Sequence, residues 1–478
     1  MHIAEQYMAS ETAAHVIERG LFKQLLVLGH TLLSLILQTR IEQYSVSSSI
    51  KDTYKDLESK GREMCQYLSL FGHLVLIRPS YWSEGLGKIH PADSHLSLPR
   101  TSCWSYTIEE LVGESAAESD YKESVRLLNE LLNLGLSGKS SERNASRIGC
   151  LVEQFYASQE VVKEHEAVCF SASFDGKGVP KIKPLEAGVP ISNPKKRLGK
   201  GEKKGIMEMA TVSVTSTFTP KERSVSSIIA SLMGSPLSQV LPDDLTPKAE
   251  LKQDNKWHKG IHRRAFLGNQ HKAVEYGLNR IKQSMVHPQS RFVVPIDAGI
   301  GLEDKVLDWV KENNMIGQFD GIILDIIHVS EYVWDAATAI FGEQSQFKSN
   351  WVREVLTDLL NSKTQKVIKD LEKIVRKSNL SLTKAKQVER TIGYFTNHQH
   401  KMDYKTFIQK GYPVSSALVE SACGHLVKER MEQSGMRWSS QGAQNIMDIR
   451  AVKINDDMNQ FMAFRIKLEQ TRPGRMAA

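Results

Sequence analysis

Two unbroken apolar runs, RFVVPIDAG over 291–299 and GIILDIIHV over 321–329, constrain the fold more than anything else in the chain. Each is short, rich in Val and Ile, and followed by a helical pattern: LEDKVLDWVKENN after the first, SEYVWDAATAIFG after the second. A strand that is apolar on both sides must be covered on both faces, and strands alternating with helices pair in parallel. The two runs therefore predict neighbouring parallel strands. Upstream, CFSASFD (169–175) alternates, with Phe170, Ala172 and Phe174 on one side and Ser171, Ser173 and Asp175 on the other. That is the pattern of a half-buried strand, ending at Asp175 where Gly176 lets the backbone turn. ATVSVTSTF (210–218) alternates in the same way and reads as its antiparallel neighbour, with KWHKGIHRRAF (256–266) the candidate for a third. The predicted class is α/β with a mixed sheet.

Around this sheet the periodicity is helical. Residues 343–412 recur at helical spacing, as in Trp351, Val355 and Leu359 and again in Ile368, Leu371 and Val375. They predict a helical insertion within the sheet domain. Residues 1–165 read as mostly helical, apart from a turn-rich extended segment, PADSHLSLPR (91–100). In 121–136 the apolar positions Val125, Leu128, Leu131 and Leu132 mark one helix; after the turn SGKSS, Ser141 is placed to cap a second. That second helix opens with Arg143, Asn144 and Arg147, which fits a DNA-reading helix-turn-helix and equally an ordinary helical hairpin. The most hydrophobic stretch, LFKQLLVLGHTLLSLILQTR (21–40), is interrupted by Gly29, His30, Thr31 and Ser34. A bilayer span needs ~20 apolar residues, so this reads as a core or oligomerisation helix with no membrane partner. Acidic residues precede it, unlike the basic start of a signal peptide, and a cytoplasmic protein is expected.

A chain of 478 residues suits two or three domains. The plan read from the sequence is a helical region at 1–90, a helical, DNA-binding candidate at 91–165, a sheet core at 166–342, the insertion at 343–412, the last part of the core at 413–460 and a basic tail at 461–478. The net charge of +7 is mild, and five cysteines without a CxxC pair suggest neither a zinc site nor a disulfide framework. His258 with His262, and His398 with His400, are spaced for metal but lack the partners a metal site needs.

The chemistry lies with three carboxylates. Asp175 and Asp297 fall at strand ends, where open α/β sheets place their sites. Glu420 lies in PVSSALVESACGHLVKERMEQSGMRWS (413–439), a small and apolar run that turns basic, with Gly424 one turn on and Lys428 two turns on. Three converging carboxylates repel one another unless divalent cations with oxygen ligands hold them, and Mg²⁺ is the natural choice. Two such ions clamp the attacking and leaving oxygens of a phosphoryl displacement. Singly, each acid is as well explained by a turn or a helix cap. Asp325 and His328, at the end of the next parallel strand, are either an alternative second metal ligand with its neighbour or supporting residues. The loop PKKRLGKGEKK (194–204) gathers Lys195, Lys196, Arg197, Lys200, Lys203 and Lys204 against one acid, Glu202, which suits phosphate neutralisation on DNA. Lys428, Arg430 and Arg437 with Trp438 extend that surface, aromatic and basic groups together favouring unpaired nucleotides; Trp438 is otherwise a core residue.

Several segments together resemble the DDE-type transposases of bacterial insertion sequences, specifically the ISKra-type group. They are FDGKGVP (174–180), RLGKGEKKG (197–205), IDAG (296–299), LDIIHVSEYVW (324–334) and GYPVSSALVESACGHLVKERMEQSGMRWS (411–439). ADSHLSLPR (92–100) and GAQNIMDIRAVKIND (442–456) are similar more loosely, so the resemblance spans about 90 to 456. It implies an RNase H-like core with Asp175, Asp297 and Glu420 as the DDE triad, holding two Mg²⁺ ions with Mn²⁺ as a substitute. Asp325 and His328 match an Asp-x-x-His motif of related groups, and Asp325 stays open as the alternative second acid. The implied activity is cleavage at the ends of an insertion sequence and strand transfer into target DNA. The implied partners are terminal inverted repeats, target DNA and further copies of the chain. The group carries a Gly-Ser-Gly-like entry before the glutamate; this chain has Ser415-Ser416-Ala417. Two rival readings remain: a nuclease or resolvase that cuts without joining, and a domesticated DNA-binding protein without catalysis.

Overall fold

A computed structural model describes residues 12–45, 57–84, 87–166, 168–182, 206–234, 257–377 and 380–471. The chain divides into two compact units, Met1–Gln159 with Asp448–Ala478, and Glu160–Met447.

The first unit is not all helical. A long helix, α1 (Ala14–Ser45), is followed by an antiparallel sheet of β1 (Glu58–Ser69), β2 (Gly72–Ser83) and the short β3 (Gly87–Ile89), in the order β1-β2-β3. The sequence signal for this sheet is the alternation in HLVLIRPSYW: Leu74, Leu76, Arg78 and Ser80 are buried, while Val75 and Ile77 between them are exposed. This corrects the helical expectation for 1–90. Residues Pro91–His95, expected to be extended, make one short helix whose Asp93 pairs with the buried Arg78.

Helices α2 (Tyr106–Glu118), α3 (Glu123–Leu132) and α4 (Gly138–Gly149) complete this part. The turn between α3 and α4 is clamped by Asn129, whose side chain donates to the Leu136 carbonyl and accepts from its N–H. Ser137, not Ser141, caps α4, in a reciprocal box with Ser140. Ser141 is buried against the Ser124 hydroxyl at 2.7 Å. Below this lies a buried ionic cluster. Glu109, fully buried on α2, meets Arg147 at 2.6 Å and also Arg465. Arg465 belongs to a C-terminal helix, Met458–Thr471, whose Phe461 and Met462 are also buried. To that point the stretch 461–478, expected to be a basic tail, is packed helix.

The second unit is built on a five-stranded mixed sheet. Its strands are β4 (Cys169–Lys181), β5 (Ile206–Phe218), β6 (His258–Leu267), β7 (Arg291–Ile296) and β8 (Phe319–Leu324), ordered β6-β5-β4-β7-β8. β5 is antiparallel to both β4 and β6; β7 is parallel to β4, and β8 to β7. The mixed α/β class read from the sequence holds, and β6 occupies the stretch proposed for the third antiparallel strand.

Two details differ. β4 and β5 are buried on both faces rather than one, since Ser171, Ser173, Thr211, Ser213 and Thr215 are as enclosed as Phe170 and Val212. The covering helices on one side are α5 (Gln270–Ser284) and α6 (Leu302–Glu312), which pack on Phe170, Phe174, Val294 and Ile296. On the other side lie α7 (Ile326–Phe341) and the inserted helices α8 (Phe347–Leu360), α9 (Thr364–Lys377) and α10 (Leu382–His398), around Val293, Ile323 and Leu324. Second, β4 does not stop at Asp175. It runs on to Lys181, paired with β5 back to Ile206, so Gly176 is an ordinary strand residue.

Candidate active site

The strand register decides which acids meet. β4 and β7 run parallel with Ser171 opposite Val293. Because side chains alternate with period two, four further residues on each strand bring Asp175 and Asp297 level on the same face. One strand over, Ile296 pairs with Leu324, which sets Asp325 beside Asp297.

The electrostatics agree with this placement. Burial pushes the Asp297 carboxyl above the usual carboxylate range, and the Asp175 charge adds to the push; a Gly299 N–H and the charges of His328 and Lys401 oppose it. Each of the two carboxylates also accepts a local backbone N–H on Oδ1, from Gly176 at 2.6 Å and from Gly299 at 2.9 Å. A Cβ at position 299 would lie 2.8 Å from that Asp297 oxygen, so a side chain there would displace the carboxylate.

Asp325 plays a different part. It is fully buried, caps α7 by accepting the Ile327 N–H at 2.8 Å, and accepts the Ser416 hydroxyl at 2.5 Å. Burial raises its carboxyl above the usual range, opposed by those two bonds. Its neighbour Ile326 donates its N–H to the Val414 carbonyl at 3.0 Å. Asp325 therefore fastens the segment that leads into Glu420. Ser416, the middle residue of the Ser-Ser-Ala entry, is the other half of that fastening. His328 contacts Glu331 at 3.2 Å; burial lowers its pKa, but the carboxylates of Asp325, Glu331 and Asp297 outweigh it and leave it raised.

Glu420 is exposed on α11 (Ala417–Ala422), a short helix packed against β4 and β5. The residue one turn later, Cys423, is buried, and its thiol lies close enough to Asp175 to feel its charge. Burial, then the Asp175 charge, push that thiol far up, so it stays neutral. Further on, Trp438 pairs with the end of β4: its N–H donates to the Pro180 carbonyl and its own carbonyl accepts from Ile182, both at 2.9 Å. The stretch carrying Glu420 is thus tied at Asp325 and beyond Lys181. Among the described residues, no group of three or more His, Cys, Asp or Glu side chains is gathered closely enough to hold a metal ion. Asp175 and Asp297 are drawn together; Glu420 stands on the neighbouring helix without closing a ready-made shell.

The remaining candidates divide clearly. Lys195, Lys196, Arg197, Lys200, Lys203 and Lys204 lie outside the described residues. Lys428, Arg437 and Arg143 are exposed. Arg430 and Trp438, expected on a DNA surface, are buried, with the guanidinium 4.7 Å over the indole ring and the indole N–H donated to the Met431 carbonyl. Arg147 and Asn144 are turned inward, Arg147 onto Glu109 and Asn144 onto the Glu109 carbonyl. Both corrections have one cause: the amphipathic spacing of these segments puts those positions on the packed side.

The paired histidines are also engaged. His258 and His262 sit on β6, bonded to the Ser216 hydroxyl at 2.8 Å and the Tyr276 hydroxyl at 2.7 Å. Burial brings His258 down to about 4, so it is neutral at physiological pH. His400 pairs with Glu303 at 2.6 Å. Sequence reasoning missed Cys423 and Ser416. Their spacing from Glu420, three residues after and four before, was the available signal.

No family model matches the chain, and no curated protein matches it. Among solved structures it is similar to the Drosophila P element transposase strand transfer complex, at 8% identity and a TM-score of 0.35, over 74% of this chain and 92% of that chain. A likeness of that size carries no argument about activity.

Proposed function

We propose that this chain is a DNA transposase with an RNase H-like core, cutting the ends of a mobile element and joining them to target DNA. One observation carries the reading: Asp175 and Asp297 stand level at adjacent parallel strands, on the side against which the helix of Glu420 is fastened. The strand order, three antiparallel followed by two parallel, is the one expected of such a core. The sequence resemblance places the same three acids in the catalytic roles.

The donor set fits a divalent cation. Two oxygen ligands whose charges oppose each other, one of them already raised, are relieved by a hard cation and by little else. Asp175 and Asp297 would hold it, with Glu420 as the third acid; Mg²⁺, or Mn²⁺ in its place, supplies charge neutralisation for in-line phosphoryl displacement. The chain's own contribution is positioning. Asp325 and Ser416 fix where α11 begins, and buried Cys423 seats the residue after its end near the Asp175 charge. Gly424 leaves open space next to Glu420, and exposed Lys428 offers a cation to a phosphate.

The test uses full-length protein, DNA bearing the element's terminal repeats, and Mg²⁺. Asp175→Ala, Asp297→Ala and Glu420→Ala each abolish cleavage while DNA binding in a mobility-shift assay persists. Cleavage retained by Glu420→Ala overturns the assignment of the third acid. Pre-cut ends that are joined to target DNA separate a transposase from a nuclease, and binding without any nicking by the wild type identifies the non-catalytic alternative.

A further inference from the structure

Helix α1 presents two apolar stripes. The inner one lies along β2: Ile41 is buried with Leu76, and Leu37 and Tyr44 pack beside it. This stripe is also fixed by polar bonds. Gln38 donates to the Ile77 carbonyl at 2.9 Å and accepts the Ile77 N–H at 3.0 Å, and His30 reaches the His73 carbonyl at 2.9 Å. The helix thus closes backbone groups of β2 that β1 does not use, the usual need of an open strand edge.

Among the described residues nothing covers the outer stripe. Leu21, Leu25, Leu28, Leu32 and Leu35 recur at spacings of four, three, four and three, and are 43%, 62%, 53%, 48% and 62% exposed. Phe22 and Ile36 flank them at 40% and 53%. Leucine at alternating four- and three-residue steps is the a/d seam of a coiled coil, which a straight helix keeps facing one partner by supercoiling. Gln24, Thr31 and Gln38 border the seam without charge, and Lys23 lies on the opposite side of the helix.

We propose that α1 is a dimerisation helix that pairs with α1 of a second copy of this chain through the Leu21–Leu35 seam. A heptad seam of one residue type is complementary to itself, which selects the same helix as partner. The area is also sufficient: seven side chains, each about half exposed, offer on the order of 700 Å² per copy, close to the ~800 Å² per partner of a stable interface. By length and composition α1 is also able to cross a bilayer, since its Ala14–Tyr44 part is 31 residues long and carries an apolar stretch with few charges. Its attachment opposes that use. Burying α1 in hydrocarbon would carry in β2, to which it is bonded, and through β2 the paired strand β1 with Glu58, Lys60, Arg62 and Glu63, at a high cost for each charge.

The experiment is the molar mass of the full-length chain by light scattering after size exclusion, at micromolar concentration. Wild type is expected at twice the 53.8 kDa chain mass. A Leu25→Glu/Leu32→Glu variant is expected at the single-chain mass, its dissociation constant raised at least about 100-fold by charges forced into the seam. Its far-UV circular dichroism stays unchanged, because both positions are exposed in the single chain. As an independent measurement, Leu28→Cys, at the centre of the seam, gives a disulfide-linked dimer at that cysteine on mild oxidation, whichever way the helices run. A monomeric wild type, an undiminished dimer in the double Glu variant, or flotation of wild type with phosphatidylcholine vesicles each overturns the proposal.

Discussion

Two glycines of the second unit should respond to the same substitution with opposite signs. Gly411 opens the segment that leads to Glu420 and has φ +73°, a left-handed conformation that costs a side-chain-bearing residue roughly 1–2 kcal/mol. Its carbonyl accepts the Lys221 N–H at 3.1 Å. A Cβ built there would lie 2.5 Å from the Lys221 nitrogen and 3.0 Å from the Pro220 carbonyl carbon. Both are backbone atoms, so no rotamer change relieves the contact, and overpacking of this kind costs about 1–3 kcal/mol more. Gly411→Ala should therefore lose about 2–5 kcal/mol in all. Gly393, inside α10, has nothing within 4 Å of its Cβ position. Gly393→Ala should gain about 1 kcal/mol from helix propensity alone. The assay is urea unfolding followed by circular dichroism, reading the transition of the unit that contains both residues. A loss below roughly 0.5 kcal/mol for Gly411→Ala, within the ordinary scatter of surface changes, would refute the claim that backbone approach fixes the entry to the Glu420 helix. Shifts of the same sign at both positions would refute it equally.

Two further outcomes follow from buried charge. Asp297 has a raised carboxyl in the folded state, so the folded chain binds that proton more tightly than the unfolded one, and stability falls as the pH rises from the unfolded pKa through the folded one. The cost is present once the pH is above the folded value. Asp297→Asn should melt higher than wild type at pH 7, with the gap closing as the pH falls into the carboxylate range; a gap independent of pH would show that Asp297 is not strained by ionisation. In the first unit, Glu109→Ala removes the carboxylate shared by Arg147 and Arg465 and should cost about 3–5 kcal/mol, measured by denaturant unfolding. Arg126→Ala, which breaks only an exposed pair with Glu123 and Glu130, should leave the melting point unchanged.

Much of the sheet was legible because burial on both faces leaves a mark in composition. The runs at 291–299 and 321–329 are mostly apolar, and each opens as a strand with its acid just past the end; the second was expected to reach Val329, but Ile326–Val329 already belong to α7, which Asp325 caps. The same rule failed for β4 and β5, where Ser and Thr fill one side yet are buried. Alternation reports residue polarity, and a hydroxyl is cheap to bury once it is bonded locally, so a polar stripe does not guarantee a wet face. The β1–β2 hairpin was lost for a different reason. Its alternation is as clear as that of β4, but it follows a long helical run whose periodicity dominates the region. Arg430, Trp438 and Arg147 show the limit of reading function from residue type. Basic and aromatic residues suit DNA, yet a guanidinium also suits a buried carboxylate or an indole face, and only packing decides between them.

The site was legible to the extent that it depends on strand ends. Asp175 and Asp297 share a face because β4 and β7 pair in parallel with side chains alternating at period two; the sequence put each acid at a strand end, and the pairing and its register came from the structure. Glu420 depends on a helix, and there the sequence holds no such rule. In an unbroken α-helix, eight residues leave Glu420 and Lys428 roughly 80° apart. From Cys423 to Lys428, however, the chain takes a π-helical turn, which uses more residues per turn and rotates Lys428 back towards the side of Glu420. No residue in CGHLVK signals that turn. Its consequence is nevertheless specific: it rotates an exposed amine towards the side of an exposed acid, with open space at Gly424 between the two positions.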